Sequence, residues 1–175
     1  MKRLLVVVDY QNDFVTGSLG FPEALDIEEE ILKLIDEFKK NHDFICFTMD
    51  THDGSYFQTV EGEKLPISHC IKGTPGWELT PKVKEASQYL PVFEKATFPS
   101  LELANYIRGL SPLIDEIWLC GLVSDICVIS NAIMAKAAAK PNCKIKVIRK
   151  ASNSNSKEEE EKCFAMLTHL HVDVI

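Results

Sequence analysis

Short apolar runs rich in β-branched residues alternate with helical patterns along the whole chain of 175 residues. Residues 4–8 form an almost continuous apolar run, and residues 27–40 then carry apolar side chains at helical spacing. This alternation is typical of a parallel β-sheet that is covered by helices on both faces. We therefore predict a three-layer α/β/α fold with a mostly parallel, six-stranded sheet.

The remaining elements follow the same alternation. Helices are expected over residues 101–110, with Ser100 as the N-cap, over residues 126–139 and over residues 156–170. The chain contains no internal repeat and no linker, so we predict a single domain over residues 1–175. The other strands are expected at residues 44–49, 90–93, 117–120, 145–148 and 172–175.

A functional site is expected where the strands end. In parallel sheets of this kind, ligands bind beyond the carboxyl ends of the strands, near the point where the strand order reverses. Residues 50–88 have weak periodicity and several turn residues, and connections of that length are usually functional or disordered. The strand ends and this long connection are therefore the expected location of the chemistry.

The acidic composition restricts the class of partner. The net charge of −7 disfavours nucleic acid and anionic membranes, because both would require a basic face, so a small-molecule or protein partner fits better. The apolar runs are too short to span a bilayer, and Asp9 interrupts the first of them, which argues against a signal peptide. We expect a cytoplasmic protein with no membrane partner.

One of six scattered cysteines, Cys127, is the candidate nucleophile. The absence of a C-x-x-C pair indicates reduced thiols rather than a disulfide framework or a zinc ribbon. Cys127 lies in the run 121–128, where a buried strand should turn into a helix. Unpaired backbone N–H groups in the first turn of a helix lower the pKa of a thiol and can also bind an oxyanion. The alternative is a buried structural cysteine, which is common for this residue type.

Two ionisable residues at other strand ends could assist such a thiol. Asp9 follows an apolar strand, where a carboxylate can have a raised pKa and act as a base, although it could equally cap the turn after it. Lys95 follows the short strand at residues 90–93, and a lysine in a cleft would stabilise a thiolate and a tetrahedral intermediate. Most lysines are solvated surface charges, so the role of Lys95 depends on its neighbours.

The second strand is followed by a pattern that suits a metal. Asp50 and His52 would project from the same side of an extended segment, and His69 in the long connection could complete the set. Glu61 or Glu63 lies between them and could add a carboxylate. Two histidines with one or two carboxylates suit Zn, Mn or Fe(II), with the open positions left to water or substrate. The alternative is a pair of unrelated loop histidines.

Four runs together resemble the isochorismatase-like cysteine hydrolases, and within them the nicotinamidase and pyrazinamidase branch. Residues 9–14 resemble the opening motif of that family, residues 93–95 its lysine motif, residues 69–76 its histidine loop and residues 121–128 its nucleophile motif. Ser124 stands where threonine is more usual. The four runs occur in the right order on the right types of element, and the match covers nearly the whole chain.

The resemblance implies a role for each candidate. Asp9, Lys95 and Cys127 would form a catalytic triad, and Phe14 would pack on the ring of the substrate. A cis peptide bond is expected between Val123 and Ser124, with the backbone N–H groups of Ser124 and Cys127 binding the oxyanion. The divalent metal, with zinc the first choice, would be bound by Asp50, His52 and His69.

The implied activity is metal-assisted hydrolysis of a small carboxamide, with nicotinamide as the first candidate and nicotinate and ammonia as products. The resemblance departs at residues 64–68, because nicotinamidases commonly carry a tryptophan there, and Trp77 lies beyond the motif. The alternatives are a ureido or carbamoyl amidohydrolase of the same fold, an isochorismatase-type vinyl-ether hydrolase and a non-catalytic binding module. Family members are often dimers or tetramers, so a homo-oligomer is expected.

Overall fold

The computed structural model describes residues 2–175, and the strands in that range form one six-stranded sheet. Every neighbouring pair of strands is parallel. The predicted three-layer fold is thus confirmed, with a sheet that is parallel throughout. The strands are Arg3–Val8 (β1), Phe44–Asp50 (β2), Val92–Lys95 (β3), Glu116–Leu122 (β4), Lys144–Asn153 (β5) and Asp173–Val174 (β6).

The helices connect these strands and cover both faces of the sheet. Short 3-10 turns at Pro22–Ala24 and Tyr56–Gln58 add to them, and a π-helical turn, Ser124–Val128, precedes one helix. Over residues 2–175 the α-helices are Asn12–Val15 (α1), Glu28–Lys40 (α2), Val60–Lys64 (α3), Pro81–Ala86 (α4), Leu101–Leu110 (α5), Ile129–Ala138 (α6) and Lys157–His169 (α7). None of them is long and apolar enough to cross a bilayer.

The core consists of two apolar clusters, one on each face of the sheet. Leu4, Val6 and Val8 of β1 point to the cluster formed with α5, α6 and α7. Leu5 and Val7 point to the opposite cluster, formed chiefly with α2. All five side chains are fully buried, which explains why the sequence of β1 is continuously apolar and does not alternate. The central strand is therefore held rigidly between two layers of helices.

The strand order β3-β2-β1-β4-β5-β6 reverses at the pair β1 and β4. Gly121 of β4 adopts a φ of +117°, and a Cβ atom there would lie 2.1 Å from the carbonyl oxygen of Val8. Only glycine allows the two strands to approach this closely. The carboxyl ends of β1 and β4 thus meet at the switch point, with Asp9 following one strand and Cys127 lying in the turn after the other.

Candidate active site

The lysine at the end of β3 is the centre of the site. Lys95 Nζ lies 2.7 Å from Asp9 Oδ2, 3.2 Å from Asp50 Oδ1 and 3.6 Å from Cys127 Sγ. These four residues come from the ends of β1, β2 and β3 and from the turn after β4, so four adjacent strands contribute one residue each. The structure therefore brings together the three residues predicted as a triad, and it adds Asp50 to them.

Burial and charge determine the ionisation of the acid and the lysine. Asp9 is completely buried and accepts a hydrogen bond of 2.7 Å from the hydroxyl of Thr48. Burial raises the pKa of the Asp9 carboxyl, although the Lys95 charge opposes this. Burial also acts to lower the pKa of Lys95, but the negative charges of Asp9 and Asp50 outweigh it, so the pKa lies well above its usual value. The lysine is therefore held as an ammonium between its acidic neighbours.

The expected lowering of the Cys127 pKa is wrong for the site without substrate. Burial raises the pKa of this thiol well above its usual value, and the nearby Lys95 ammonium only partly offsets the loss of solvation. The start of a helix is visible in the sequence, but the burial of the thiol is not. The thiol is therefore neutral at rest, and a base must accept its proton when it reacts.

Asp50 connects the triad to the predicted metal ligands. Its Oδ1 faces Lys95, while its Oδ2 lies 3.0 Å from His52 Nε2 and 3.3 Å from His69 Nε2. Glu61 Oε1 lies 3.8 Å from His52 Nε2 and 3.5 Å from His69 Nε2. These four residues form a cluster whose donor atoms all lie within 4.8 Å of one another. Of the two glutamates that the sequence left open, Glu61 belongs to this cluster.

The cluster fits a divalent metal. Four donors at the usual distance of about 2.1 Å from a tetrahedral ion would be separated by about 3.4 Å, and the four distances above fall on either side of that value. His69 Nδ1 is bonded to the carbonyl oxygen of Ile67 at 2.9 Å, which leaves Nε2 free to face the ion. Two imidazoles and two carboxylates are donors that Zn, Mn and Fe(II) share.

In the protein without an ion, the cluster is held by hydrogen bonds between its own members. Burial acts to lower the pKa of His69, but the hydrogen bonds to Asp50 and Glu61 raise it to about 10. Burial likewise acts to raise the pKa of Asp50, but the two histidines and Lys95 bring it below its usual value. The cluster therefore combines buried carboxylates with cationic partners, an arrangement that a divalent cation could replace.

Two residues that position this cluster were not predicted from the sequence. Gln11 is completely buried, and its amide donates to the carbonyl oxygen of Asp50 and accepts from the N–H of the same residue, at 2.9 and 2.7 Å. Asp13 Oδ2 accepts a hydrogen bond of 2.7 Å from the N–H of Cys70, next to His69. Both belong to the motif at residues 9–14, which could have identified them as more than turn residues.

A pocket of about 180 Å³ opens above the thiol. Phe14, Glu61, His69 and Cys127 all line it, so the nucleophile and the metal-type cluster face the same space. Phe14, which is predicted to pack on the ring of the substrate, lies with its ring centre 5.7 Å from that of His69. Trp77 does not line the pocket, because its indole N–H donates to Thr51 instead.

The cis peptide bond lies one residue earlier than expected, between Leu122 and Val123 instead of between Val123 and Ser124. The strand β4 remains paired with β5 as far as Leu122, so the chain leaves the sheet at Val123. Ser124 is completely buried, and its hydroxyl donates to Glu160 Oε1 of α7 at 3.1 Å. The side chain of Ser124 thus anchors the π-helical turn to the helix layer.

Asn131, near the nucleophile, is a third residue that was not predicted from the sequence. This completely buried side chain donates to the carbonyl oxygen of Cys127 at 2.8 Å and to that of Phe98 at 3.0 Å, and it accepts from the N–H of Ser100 at 3.0 Å. Asn131 therefore ties the nucleophile turn to the segment between β3 and α5. Nothing in the local sequence pattern distinguishes it from a surface asparagine.

Comparison with known proteins agrees with this geometry. The model of the Isochorismatase domain family matches residues 3–175, and the chain belongs to that family. A Bacillus subtilis relative, described as an uncharacterized isochorismatase family protein PncA, is 32% identical over 148 residues, which cover 77% of this chain and 79% of the relative.

Two solved structures show the similarity in three dimensions. The pyrazinamidase/nicotinamidase of Streptococcus mutans superposes with a TM-score of 0.86 and 26% identity, over 99% of this chain and 100% of that one. The N-carbamoylsarcosine amidase of Thermoplasma acidophilum superposes with a TM-score of 0.81 and 26% identity, over 99% and 95% of the two chains. The fold is therefore shared by enzymes whose names describe different amide substrates.

Proposed function

We propose that this member of the isochorismatase family is a metal-assisted cysteine amidohydrolase that cleaves a small aromatic carboxamide, with nicotinamide as the first candidate. The observation that carries the proposal is the position of Asp50. One oxygen of this carboxylate contacts the lysine of the triad and the other contacts both histidines of the cluster. A substrate in the pocket would therefore meet the nucleophile and the metal ligands together.

The thiol chemistry follows from the contacts of Lys95. Asp9 accepts the proton of Cys127, and Lys95 stabilises the thiolate that results. The sulfur attacks the carbonyl carbon and forms a tetrahedral intermediate. The N–H groups of Ser124 and Cys127 would bind its oxyanion. Both lie at the start of the π-helical turn, where backbone donors tend to lack an acceptor within the helix, whereas the N–H of Ile126 donates to the carbonyl oxygen of Val123.

Collapse of the intermediate breaks the C–N bond. Asp9 returns its proton to the leaving nitrogen, ammonia departs, and the acyl group remains on Cys127 as a thioester. A water molecule then attacks the thioester while Asp9 accepts one of its protons, and this proton goes to the departing Cys127 sulfur. The products are the carboxylic acid and ammonia, and the raised pKa of Asp9 suits a group that both accepts and donates a proton.

The metal would be held by Asp50, His52, Glu61 and His69. When bound there, a Zn, Mn or Fe(II) ion supplies a Lewis-acid position that can accept a ring nitrogen of the substrate. Phe14, whose ring lies against that of His69, would pack against the face of the substrate ring. These groups would orient the carboxamide toward Cys127, which is the contribution of positioning to the rate.

Two observations define the alternatives. The similarity to an N-carbamoylsarcosine amidase supports a carbamoyl or ureido substrate on the same machinery. The metal-type cluster disfavours an isochorismatase-type vinyl-ether hydrolase, because the family members of that type lack these metal ligands. The contacts of Lys95 with Asp9 and Cys127 disfavour a non-catalytic binding module, because an arrangement of three buried ionisable groups is costly to keep without a function.

The test is ammonia release from nicotinamide by the purified protein, with and without prior chelation of metal. We expect chelator-sensitive release that the Cys127→Ala variant lacks entirely. Cys120→Ala is the matched control, because Cys120 is an equally buried thiol of β4 in the core. Turnover by Cys127→Ala near the wild-type rate would contradict the nucleophile. If only carbamoyl or ureido compounds release ammonia, the mechanism stands and the substrate is wrong.

A further inference from the structure

The small pocket above Cys127 adjoins a second, larger groove. That groove has a volume of about 580 Å³, compared with about 180 Å³ for the pocket itself. Glu61, Leu65, Phe98 and Ile126 line both spaces, so the two share a wall of four side chains. The groove is therefore directly adjacent to the space in which the proposed chemistry occurs.

The lining of the groove as a whole is mostly apolar and is open to solvent. Val60 on α3 is 69% exposed, and Phe98 and Ile126 are 42% and 39% exposed. Pro99 lies in the same wall, and Lys64 is the lining residue that carries a positive charge. Large apolar side chains that gather at one place on a surface mark binding sites more often than isolated ones do.

The two volumes indicate what the groove could hold. Ligand pockets usually span about 300–1,000 Å³, and the inner pocket alone is smaller than that range, whereas the two spaces combined fall within it. A carboxamide on a single ring would fill the inner pocket and leave the outer groove to water. A molecule with an apolar extension would fill both.

We propose that the groove lined by Val60, Phe98 and Ile126 is an outer subsite that binds an apolar substituent on the carboxamide substrate. The inference rests on the proposed function, since the substituent is placed by the carboxamide at Cys127. Its chemical class is an alkyl or aryl group, because the side chains of Val60, Phe98 and Ile126 offer no hydrogen-bond partner and would cost a charged or strongly polar group its hydration. The preferred substrate is accordingly larger and more apolar than nicotinamide.

Leu65 and Phe98 lie between the two spaces. Leu65 directly follows α3 and Phe98 belongs to the segment that Asn131 ties to the nucleophile turn, so the two side chains come from different connections. Both side chains face pocket and groove alike. A substituent that leaves the ring on the side away from the carboxamide would pass between them.

The experiment compares nicotinamide with derivatives that carry a methyl, propyl or pentyl group on C5 of the pyridine ring. This carbon lies farthest from the ring edge that carries the nitrogen and the carboxamide. We expect kcat/KM to rise with chain length by about twofold per methylene, because a half-buried methylene gains about half of its full transfer free energy. When binding of the same series to Cys127→Ala is followed by calorimetry, Kd should fall by about the same factor per methylene.

Val60→Asp is the diagnostic variant, because Val60 lines the groove but not the inner pocket. Aspartate is also compatible with the first turn of α3, where acids are favourable. The variant should remove the dependence on chain length and leave nicotinamide turnover within about twofold of wild type. Leu113→Asp is the matched control, since Leu113 is 60% exposed and precedes β4 at the opposite end of the sheet, and it should keep the dependence.

The other outcomes overturn the subsite, the proposed function or both. If nicotinamide is hydrolysed but longer chains give no gain, the proposed function stands and the subsite is wrong. If no carboxamide is hydrolysed, the proposed function fails, and the calorimetric series alone decides whether the groove binds alkyl groups. If Val60→Asp lowers the mass measured by light scattering and leaves the chain-length profile unchanged, the groove is a contact between copies of this chain.

Discussion

Lys95 is the residue on which the electrostatics of the site depend. It is 1% exposed at its side chain and contacts the equally buried carboxylates of Asp9 and Asp50. Without the ammonium, the carboxylates of Asp9 and Asp50 would remain buried close together with no cation between them. Breaking a buried ion pair by removing one partner is costly for that reason, whereas removing both partners often costs little.

Replacement of Lys95 by methionine should therefore destabilise the protein as well as inactivate it. We expect a loss of about 3–5 kcal/mol in the free energy of unfolding, measured with urea. The double variant Lys95→Met with Asp9→Asn should recover part of that loss but no activity. Lys72→Met is the control, because Lys72 is paired with Glu94 on the surface, where such pairs contribute at most about 1 kcal/mol. Equal stability of Lys95→Met and wild type would contradict this account.

At the scale of elements, the short helix α3 decides which glutamate reaches the metal-type cluster. Glu61 and Glu63 are both acids of its first turn, and the N-cap Thr59 accepts from the N–H of Gly62 to fix where the helix begins. Two residues along a helix differ by about half a turn, so only one of these acids can face the histidines. The distances place Glu61 there.

Glu61→Gln and Glu63→Gln form a matched pair on this helix. We expect Glu61→Gln to weaken zinc binding by at least about tenfold. Loss of a group that merely hydrogen-bonds to a metal ligand already lowers metal affinity by about that factor, and loss of a ligand carboxylate should cost no less. Glu63→Gln should leave the affinity unchanged. Competition with a chromogenic chelator measures both, and equal affinities in the two variants would exclude Glu61 as a ligand.

Asn131 is the link between α6 and the segment before α5, and its three hydrogen bonds are all to main-chain groups. Asn131→Ala would leave buried carbonyl and N–H groups without partners, which costs about 1–3 kcal/mol for each group left unsatisfied. We expect a total of about 3 kcal/mol in urea unfolding, together with a lower kcat/KM, because Phe98 and Cys127 lose their common anchor. Asn41→Ala, at an exposed helix end, should cost less than about 1 kcal/mol.

The elements were predictable to the extent that periodicity defines them. The helix α5 and its N-cap Ser100 agree with the sequence prediction, since the Ser100 hydroxyl accepts from the N–H of Leu103. The helix expected over residues 126–139 instead begins with a π-helical turn at Ser124–Val128, because apolar spacing does not distinguish one kind of helical turn from another. The short helix α3 was missed in the long connection, since five residues are too few for a periodic signal.

At the scale of the molecule, the site was predictable because parallel topology places strand ends together. Asp9, Asp50 and Lys95 lie far apart in sequence but end or follow three adjacent strands. The sequence does not reveal how deeply each side chain is buried, and the raised pKa of Cys127 was therefore not predicted. The homo-oligomer expected from the family resemblance stays a prediction.

Metal binding should stabilise the whole fold, because the four candidate ligands connect the end of β2 to two points of the long connection. A ligand that binds only the folded state at 100 times its Kd contributes about 2.7 kcal/mol. For a chain of this size, that corresponds to a rise of roughly 5–10 °C in Tm. We expect this difference between the zinc-loaded and the chelator-treated protein in a calorimetric scan.

His69→Ala separates this effect from a general action of the chelator. The variant lacks a ligand imidazole that is 1% exposed, so zinc should no longer raise its Tm by more than about a degree, although the variant itself still unfolds cooperatively. His42→Ala removes an exposed histidine that lies outside the cluster and should keep the full zinc-dependent shift. The wild type could instead melt at the same temperature with and without zinc. Zinc would then contribute no binding free energy to the folded state, and the cluster would be a network of hydrogen bonds and not a metal site.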